Sequence, residues 1–423
     1  MKEYNCDLQL HGLYAGGVSK QMLIPVIAQQ SRLKGIEVLV CADALHKNWF
    51  EHLKQNIVET ENNVLMDKNQ TTYFIVGTEV EDKNRIHHLI YLPSLESAQE
   101  LRTKFLSFGN LDCSMCGRPK LSLSAEQIAE KVHQTGGITG PAHSFTPYTG
   151  IYAYFDSVKK AYGQMAENIH FIELGLSADT TLADTIAENH VYTFLSSSDA
   201  HSPWPDKLGR EFNRIKMQKP TFEALKKAVK EKDEKLVTLN VGLDPREGKY
   251  HATACNACYA QYSFEQAQSL SWKCIKCANP IKRGVRERIK MLATKAPGSH
   301  PNFRPRYMHV IPLAEIIQIA LQAKNVNSQA VQSLWKDFVE AFGTEIHTLV
   351  DATEKELSEV HALTAKKIVS FRNGWVSYIP GGGGKYGTPF IFDSEKEFLE
   401  KKDKLEEKTR KEEMHGQKTL GEF

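Results

Sequence analysis

The first 245 residues read as an α/β fold, either a parallel sheet or a barrel, and three observations carry that reading. Short β-like runs recur along this stretch: "EVLVCAD", "TYFIVGTE", "IHHLIYLP", "GGITGPAH", "IHFIELG" and "VYTFLSSSDAH". Amphipathic stretches such as "AEQIAEKVHQ" and "TFEALKKAVKE" lie between them, which is the rhythm of βα units. Most of the runs also carry a carboxylate or an imidazole at one end. In parallel α/β folds the carboxyl ends of the strands form one rim, where catalytic groups gather.

Taken in order, the runs supply a series of candidate metal ligands. In "DLQLHG" strand alternation puts Asp7, Gln9 and His11 on one face, which is poor core material and good ligand material. "EVLVCAD" ends at Asp43, with His46 nearby. "TYFIVGTE" ends at Glu79, and "IHHLIYLP" brings His87 and His88. Alternation means that only one of these two histidines faces inward, and the sequence does not say which. "GGITGPAH" ends at His143, "IHFIELG" carries Glu173, and "SSSDAHSP" brings Asp199 and His201. One histidine near a strand is ordinary. A ligand type at one strand end after another is the pattern of a metal site.

Composition bounds the rest. A chain of 423 residues is too long for one ordinary domain and comfortable for two or three. No run of eighteen apolar residues occurs, so no membrane-spanning helix is expected. The opening "MKEYNCDLQL" lacks a charged-then-apolar leader, so a cytoplasmic location is expected. The expected domains are 1–245, with the βα rhythm and the candidate ligands; 246–300, rich in cysteine; 301–390, helical; and 391–423, a charged tail.

Cys255-x2-Cys258 and Cys274-x2-Cys277, fifteen residues apart, have the spacing of a structural four-cysteine zinc site. Cys113 and Cys116 form a further CxxC with no second pair near it, and read as a loop feature. A disulfide framework is not expected without an export signal. Between residues 271 and 306 there are ten Lys or Arg and one acidic residue, Glu287. That imbalance beside a zinc module is the footprint of a polyanion site, with Lys282, Arg283, Arg286, Arg288, Arg304 and Arg306 as candidate DNA contacts. "ELSEVHALTAKKIVSFR" has the makings of a helical hairpin. "PGGGGKYG" is not a phosphate-binding Walker loop, because Lys385 is followed by Tyr386. Its glycines suit either close backbone approach or a surface loop.

"DLQLHG", "CADALH", "TEVE", "HHLIYLP", "PAHSFTPY" and "SSSDAHSP" resemble the ordered motifs of the PHP metal-dependent phosphoesterases. The resemblance implies a distorted β/α barrel with two or three divalent metals (zinc, manganese or magnesium) at its rim. It implies His11, Glu79, His143, Asp199 and His201 as catalytic ligands, joined by His87 or His88. Asp43 or His46 would complete a third position, and Asp7 would ligate or orient. The departure is Gln9, where the family usually has histidine; a neutral amide is the weaker ligand and leaves the metal count open.

With the four-cysteine module, "HVIPLAEIIQIAL" and "PGGGGKYG" added, the chain from Asp7 to Gly387 resembles the endonuclease Q family. That resemblance implies hydrolysis of DNA on the 5′ side of deaminated bases: uracil, hypoxanthine and xanthine. A phosphoesterase for small substrates and a DNA-binding protein with a degenerate site are the alternatives. The last residues, "QKTLGEF", resemble the motif that docks on PCNA-type sliding clamps. Gln417, Leu420 and Phe423 would be its contacts, behind a charged tether.

Overall fold

The computed structural model of the chain describes residues 1–60 and 63–414. They form two compact units: the described residues of 1–175, 179–242 and 292–310 in the first, and 176–178, 243–291 and 311–414 in the second. The contacts proposed for Gln417, Leu420 and Phe423 lie outside the described residues.

The first unit carries β1 (Lys2–Asp7), β2 (Val38–Val40), β3 (Ile57–Thr60), β4 (Val64–Asp67), β5 (Tyr73–Glu81) and β6 (His87–Leu92). It continues through β7 (Ile138–Pro141), β8 (Phe171–Glu173), β9 (Thr193–Leu195), β10 (Phe212–Met217) and β11 (Val237–Gly242). Strands β1, β2 and β5 run parallel, and so do β8 and β9. The curve from β5 through β6 to β7 is antiparallel. Five residues join β5 to β6, too few for a crossover, so the chain must turn back as a hairpin. The sheet is therefore mixed, not the parallel one that the βα rhythm suggested.

Two seams close this sheet into a distorted barrel. Between β7 and β8, a Cβ on Gly140 would fall inside the contact shell of the Phe171 carbonyl, so glycine is what lets the two backbones approach. Past the end of β1, the His11 N–H donates to the Ala200 carbonyl at 3.0 Å, which brings the segment after β9 beside the segment after β1.

The helices are built in the expected way. Ser124 and Gln127 form a capping box for the Ala125–Gln134 helix, and Ile128, Ala129 and Val132 are its buried stripe. Residues 292–310 also pack in this unit, ending in a strand over Arg306–His309 that pairs parallel with β11.

In the second unit, two-residue strands at Ala254–Cys255 and Ile281–Lys282 pair antiparallel and bracket the Phe264–Ser269 helix. Tyr262, Ala267 and Ile281 form the small core. Four helices follow, over Leu313–Leu321, Gln329–Phe342, Glu345–Val350 and Glu354–Arg372. Buried Glu345 ties the first to the others, accepting from Leu313 N–H at 3.1 Å and Trp335 Nε1 at 2.7 Å. The Glu354–Arg372 helix breaks at His361, whose imidazole caps the second half at Thr364. That break makes two short helices of the stretch read as a hairpin.

The glycine run packs on backbone. Ala252 N–H donates to the Gly381 carbonyl at 2.8 Å, and a Cβ on Gly383 would overlap the Cys255 carbonyl. Close approach to the cysteine module thus explains Gly383, while Gly384 has open space around it and a φ of 109°. A final helix covers Glu395–Met414. No described helix is long and apolar enough to cross a membrane.

Candidate metal centre

The register of β5 against β6 decides between the two histidines. His87 lies opposite Glu81, and His88 opposite Val80. Residues directly opposite share a face, and faces alternate along a strand, so Glu79, Glu81 and His87 point the same way. His87 Nδ1 lies 2.7 Å from Glu79 Oε1, and its Nε2 lies 3.2 Å from Glu81 Oε2. His88 points to the other side, where Nδ1 meets the Tyr162 hydroxyl at 2.6 Å and Nε2 faces Asp82 at 3.5 Å. His88 is a buried packing residue and does not join the cluster.

Two groups of three candidate ligands form: His11, Asp199 and His201, and Glu79, His87 and His143. Within each, the ligand atoms lie within 4.8 Å of one another. His11 Nε2 is 3.4 Å from both Glu79 Oε2 and Asp199 Oδ1, so the two groups adjoin through Glu79.

The electrostatics follow from packing these charges in the interior. Burial alone would depress His11, but hydrogen bonds to Asp199, Asp43 and Glu79 raise it well above the usual imidazole range. Burial alone would raise Glu79, yet His11, His143 and His87 hold it well below the usual carboxylate range. Here protons do what bound cations would do, and a metal would displace them.

The residues fit a metal. Gln9 Oε1 is buried with no hydrogen-bond partner among the described residues, and buried His11 Nε2 and Glu79 Oε1 face only the ionisable groups of the cluster, with no well-aligned hydrogen bond. A buried amide oxygen without a partner is rare, and with an imidazole nitrogen and a carboxylate oxygen beside it the donor set suits a cation. Gln9 belongs to the cluster with its Nε2 donating to Glu79 Oε2 at 2.8 Å.

Three expected ligands are engaged elsewhere. Asp43 takes Gly12 N–H on Oδ2 at 2.7 Å and holds His11 Nδ1 on Oδ1 at 3.2 Å. It orients the imidazole so that Nε2 faces the cluster, the usual task of a carboxylate behind a ligating histidine. His46 accepts from Trp49 N–H at the start of a helix, lies 3.2 Å from the Cys113 carbonyl through Nε2, and stacks on Tyr14. Asp7 accepts the N–H groups of Ser198 at 3.1 Å and Gly209 at 3.0 Å. It is a backbone clamp beside Asp199, and burial pushes its carboxyl up to about 6.

The backbone itself turns sharply here. Asp43 (φ 36°), His143 (φ 28°) and Asp199 (φ 47°) all adopt left-handed conformations. Glu173 secures one of these turns, accepting the N–H groups of His143 at 2.5 Å, Gly175 at 3.0 Å and Ser197 at 3.2 Å. Sequence reading did not assign Glu81 or Arg118 to the site. Glu81 was findable, because alternation from Glu79 places it on the same face. Arg118, whose Nη1 is 3.5 Å from Glu79 Oε1, comes from the CxxC loop, and nothing local announces it.

The four cysteines converge as their spacing suggested. All four sulfurs lie within 4.8 Å of one another, with Cys255–Cys277 and Cys258–Cys274 at 3.5 Å. A tetrahedral zinc site with bonds near 2.3 Å needs edges of about 3.8 Å, so a small adjustment suffices. Cys113 and Cys116 are joined by a disulfide, which the sequence reading did not expect.

The basic candidates divide. Arg283 lies over the Phe264 and Trp272 rings, Arg286 pairs with Glu287 at 2.7 Å, and Lys282 and Arg288 are partly exposed. Arg306 is exposed. Arg304 is not a DNA contact: its side chain is 1% exposed and bonded to Asp184 through Nε and Nη2.

Comparison with known proteins agrees with this architecture. The family described as the MJ0043 C-terminal domain matches residues 312–375. The uncharacterized protein MJ0043 of Methanocaldococcus jannaschii is 44% identical over 256 residues, 59% of this chain. The chain spans 32% of the length of that relative. The crystal structure of the lesion-specific endonuclease PfuEndoQ from Pyrococcus furiosus is 43% identical, with a TM-score of 0.85, covering 92% of this chain and 96% of that one. An endonuclease Q structure in complex with a 27-mer duplex carrying an abasic lesion is also 43% identical, with a TM-score of 0.87 over 93% of this chain and 97% of that one. Sharing 43% of its residues with these proteins over nearly its whole length, the chain belongs to the endonuclease Q family.

Proposed function

We propose that this chain is a metal-dependent DNA repair endonuclease that hydrolyses the phosphodiester on the 5′ side of a deaminated base: uracil, hypoxanthine or xanthine. The observation that carries this reading is Glu79, which belongs to one histidine-and-carboxylate group and reaches His11 of the other. Its setting adds weight, since 43%-identical relatives are a lesion-specific endonuclease and an endonuclease bound to lesion-bearing duplex.

Glu79, His87 and His143 would hold one divalent ion, and His11, Asp199 and His201 a second. Bound there, zinc, manganese or magnesium supplies hydroxide at neutral pH by lowering the pKa of a coordinated water. Asp43 keeps His11 in the right tautomer and orientation, and Glu173 fixes the backbone that presents His143. Asp7 does the same for the turn before Asp199. With Asp43 and His46 committed elsewhere, two ions suit the site better than three.

A deaminated base pairs poorly, so extruding it costs less than extruding a normal one. Lys282, Arg283, Arg286 and Arg288, in the unit with the proposed zinc site of Cys255, Cys258, Cys274 and Cys277, and Arg306, in the first unit, are the proposed backbone contacts. Gln417, Leu420 and Phe423 would dock a PCNA-type sliding clamp and bring incision to replicating DNA.

The test is incision of end-labelled duplexes carrying one deoxyuridine, one deoxyinosine or one abasic site, against an unmodified duplex. A metal-dependent nick 5′ of the deaminated base is expected, and none with chelator. Cutting at the abasic site alone moves the specificity from base to gap. Binding without cutting under zinc, manganese, magnesium and cobalt sinks the enzymatic reading.

A further inference from the structure

The loop from Cys113 to Lys120 is anchored along the rim of the metal centre. Cys116 bridges antiparallel to Ala15, and Gly117 N–H donates to the Tyr14 carbonyl at 2.9 Å. A Cβ on Gly117 would overlap the Asp43 carboxylate, so the loop lies flush against the residue that orients His11. On the other side, the Pro119 carbonyl accepts from Glu81 N–H at 2.9 Å, and Leu121 N–H donates to the Glu81 carbonyl at 2.8 Å. A disulfide between Cys113 and Cys116 cross-links the start of the loop. Arg118 therefore sits between two backbone anchors, one on the segment after β1 and one on β5.

Its side chain is held far less firmly than its backbone. The guanidinium is 32% exposed, and its one ion pair, Nη1 to Glu79 Oε1, is 3.5 Å long. That is well beyond a charge-assisted hydrogen bond of about 2.7–2.9 Å. Among the described residues the guanidinium makes no hydrogen bond, although it has five N–H donors. Glu79 does not need it: Gln9 Nε2 and His87 Nδ1 already reach Glu79 at 2.8 and 2.7 Å. A partly exposed ion pair of this length contributes little to stability. What the geometry offers is a planar, permanently charged fork on a fixed backbone, beside the metal ligands and open to solvent. That fork matches the non-bridging oxygens of a phosphate.

We propose that Arg118 contacts the non-bridging oxygens of the scissile phosphate and offsets the negative charge that builds on them as the P–O bond is cut. The proposal rests on the endonuclease reading. Arg118 neither gives nor takes a proton; it acts by charge and by donated hydrogen bonds.

Single-turnover incision of a deoxyuridine duplex tests it, with metal content by elemental analysis and duplex affinity by anisotropy read alongside. Arg118→Ala should slow the incision step roughly 100- to 1000-fold, as loss of one donor to a developing charge does elsewhere. Its metal content should match the wild type, and its duplex affinity should fall by less than about tenfold, as for one phosphate contact among many. Arg118→Lys should recover part of the rate, because it restores the charge without the fork. Incision by Arg118→Ala within about threefold of wild type overturns the contact while leaving the nuclease reading intact. Metal loss in proportion to the lost rate also overturns it, since Arg118 would then be a support for Glu79. A wild type inert on every duplex overturns the nuclease reading and this contact together.

Discussion

Replacing Arg304 separates a structural arginine from a DNA-binding one. Its guanidinium meets Asp184 through Nε at 3.0 Å and Nη2 at 2.8 Å, and donates to the carbonyls of Tyr192 at 2.8 Å and Asn189 at 3.1 Å. It also lies 3.3 Å from the centroid of the Phe194 ring. Both side chains of the ion pair are 1% exposed, so solvent cannot replace either partner. Removing one member of such a pair costs about 3–5 kcal/mol, because the other charge is left buried. His300 Nδ1, 2.7 Å from Asp184, keeps one partner on the carboxylate and pulls the figure toward the low end. The two carbonyls that lose their donors push it back up. Arg304→Ala should therefore destabilise the first unit by about 4 kcal/mol. Arg306→Ala, two residues along and exposed, should cost less than about 0.5 kcal/mol. Urea unfolding followed by tryptophan fluorescence reads the stabilities, and duplex affinity at several salt concentrations reads the phosphate contacts. If Arg304→Ala keeps wild-type stability but lowers the salt dependence of binding by about one counterion, the buried-pair reasoning is wrong.

Asp43→Asn should weaken metal binding about 10- to 100-fold with little loss of fold, because it disturbs the partner of His11 and not a ligand; competition with a chromogenic chelator measures this. Cys274→Ser should release one zinc per chain and loosen the second unit, while the barrel metals stay; unchanged zinc by elemental analysis counts against the four-cysteine site. Ending the chain at Gly416 should abolish retention on an immobilised PCNA-type clamp, and equal retention of the two forms removes the docking proposal.

Some of this site was legible in the sequence, for a physical reason. Strand alternation and short local spacing are written in consecutive residues, so the cysteine module and the inward runs ending at His11, Glu79, His143 and Asp199 could be read directly. Register was not legible. His87 and His88 differ only in which residue of β5 each one faces, and that depends on a pairing the sequence does not display. The antiparallel turn from β5 to β6 was readable from its five-residue loop, but the βα rhythm around it suggested otherwise. From sequence Asp7 reads as ligand or orienter, and Arg304 as a phosphate contact, because their partners are distant. Ser198 and Gly209 reach Asp7 from about two hundred residues away, and Asp184 precedes Arg304 by 120. A carboxylate on backbone N–H groups and an arginine on a buried carboxylate look, from local sequence, like a ligand and a phosphate contact.

The left-handed turns at Asp43, His143 and Asp199 set folding against chemistry. Each holds a side chain that the metal centre uses, on a backbone that glycine adopts at no steric cost. For a residue with a Cβ, that conformation costs about 1–2 kcal/mol. Relief from it through glycine is partly offset by about 0.5–1 kcal/mol of chain entropy. Among replacements for these side chains, a library sorted only for soluble, heat-resistant protein would thus favour glycine over alanine. The survivors would be well-folded chains with fewer ligands or a misaligned one. Sorting for incision would remove the same variants. Thermostability engineering of this barrel should hold these three positions fixed, because relief of backbone strain there comes at the expense of the reaction.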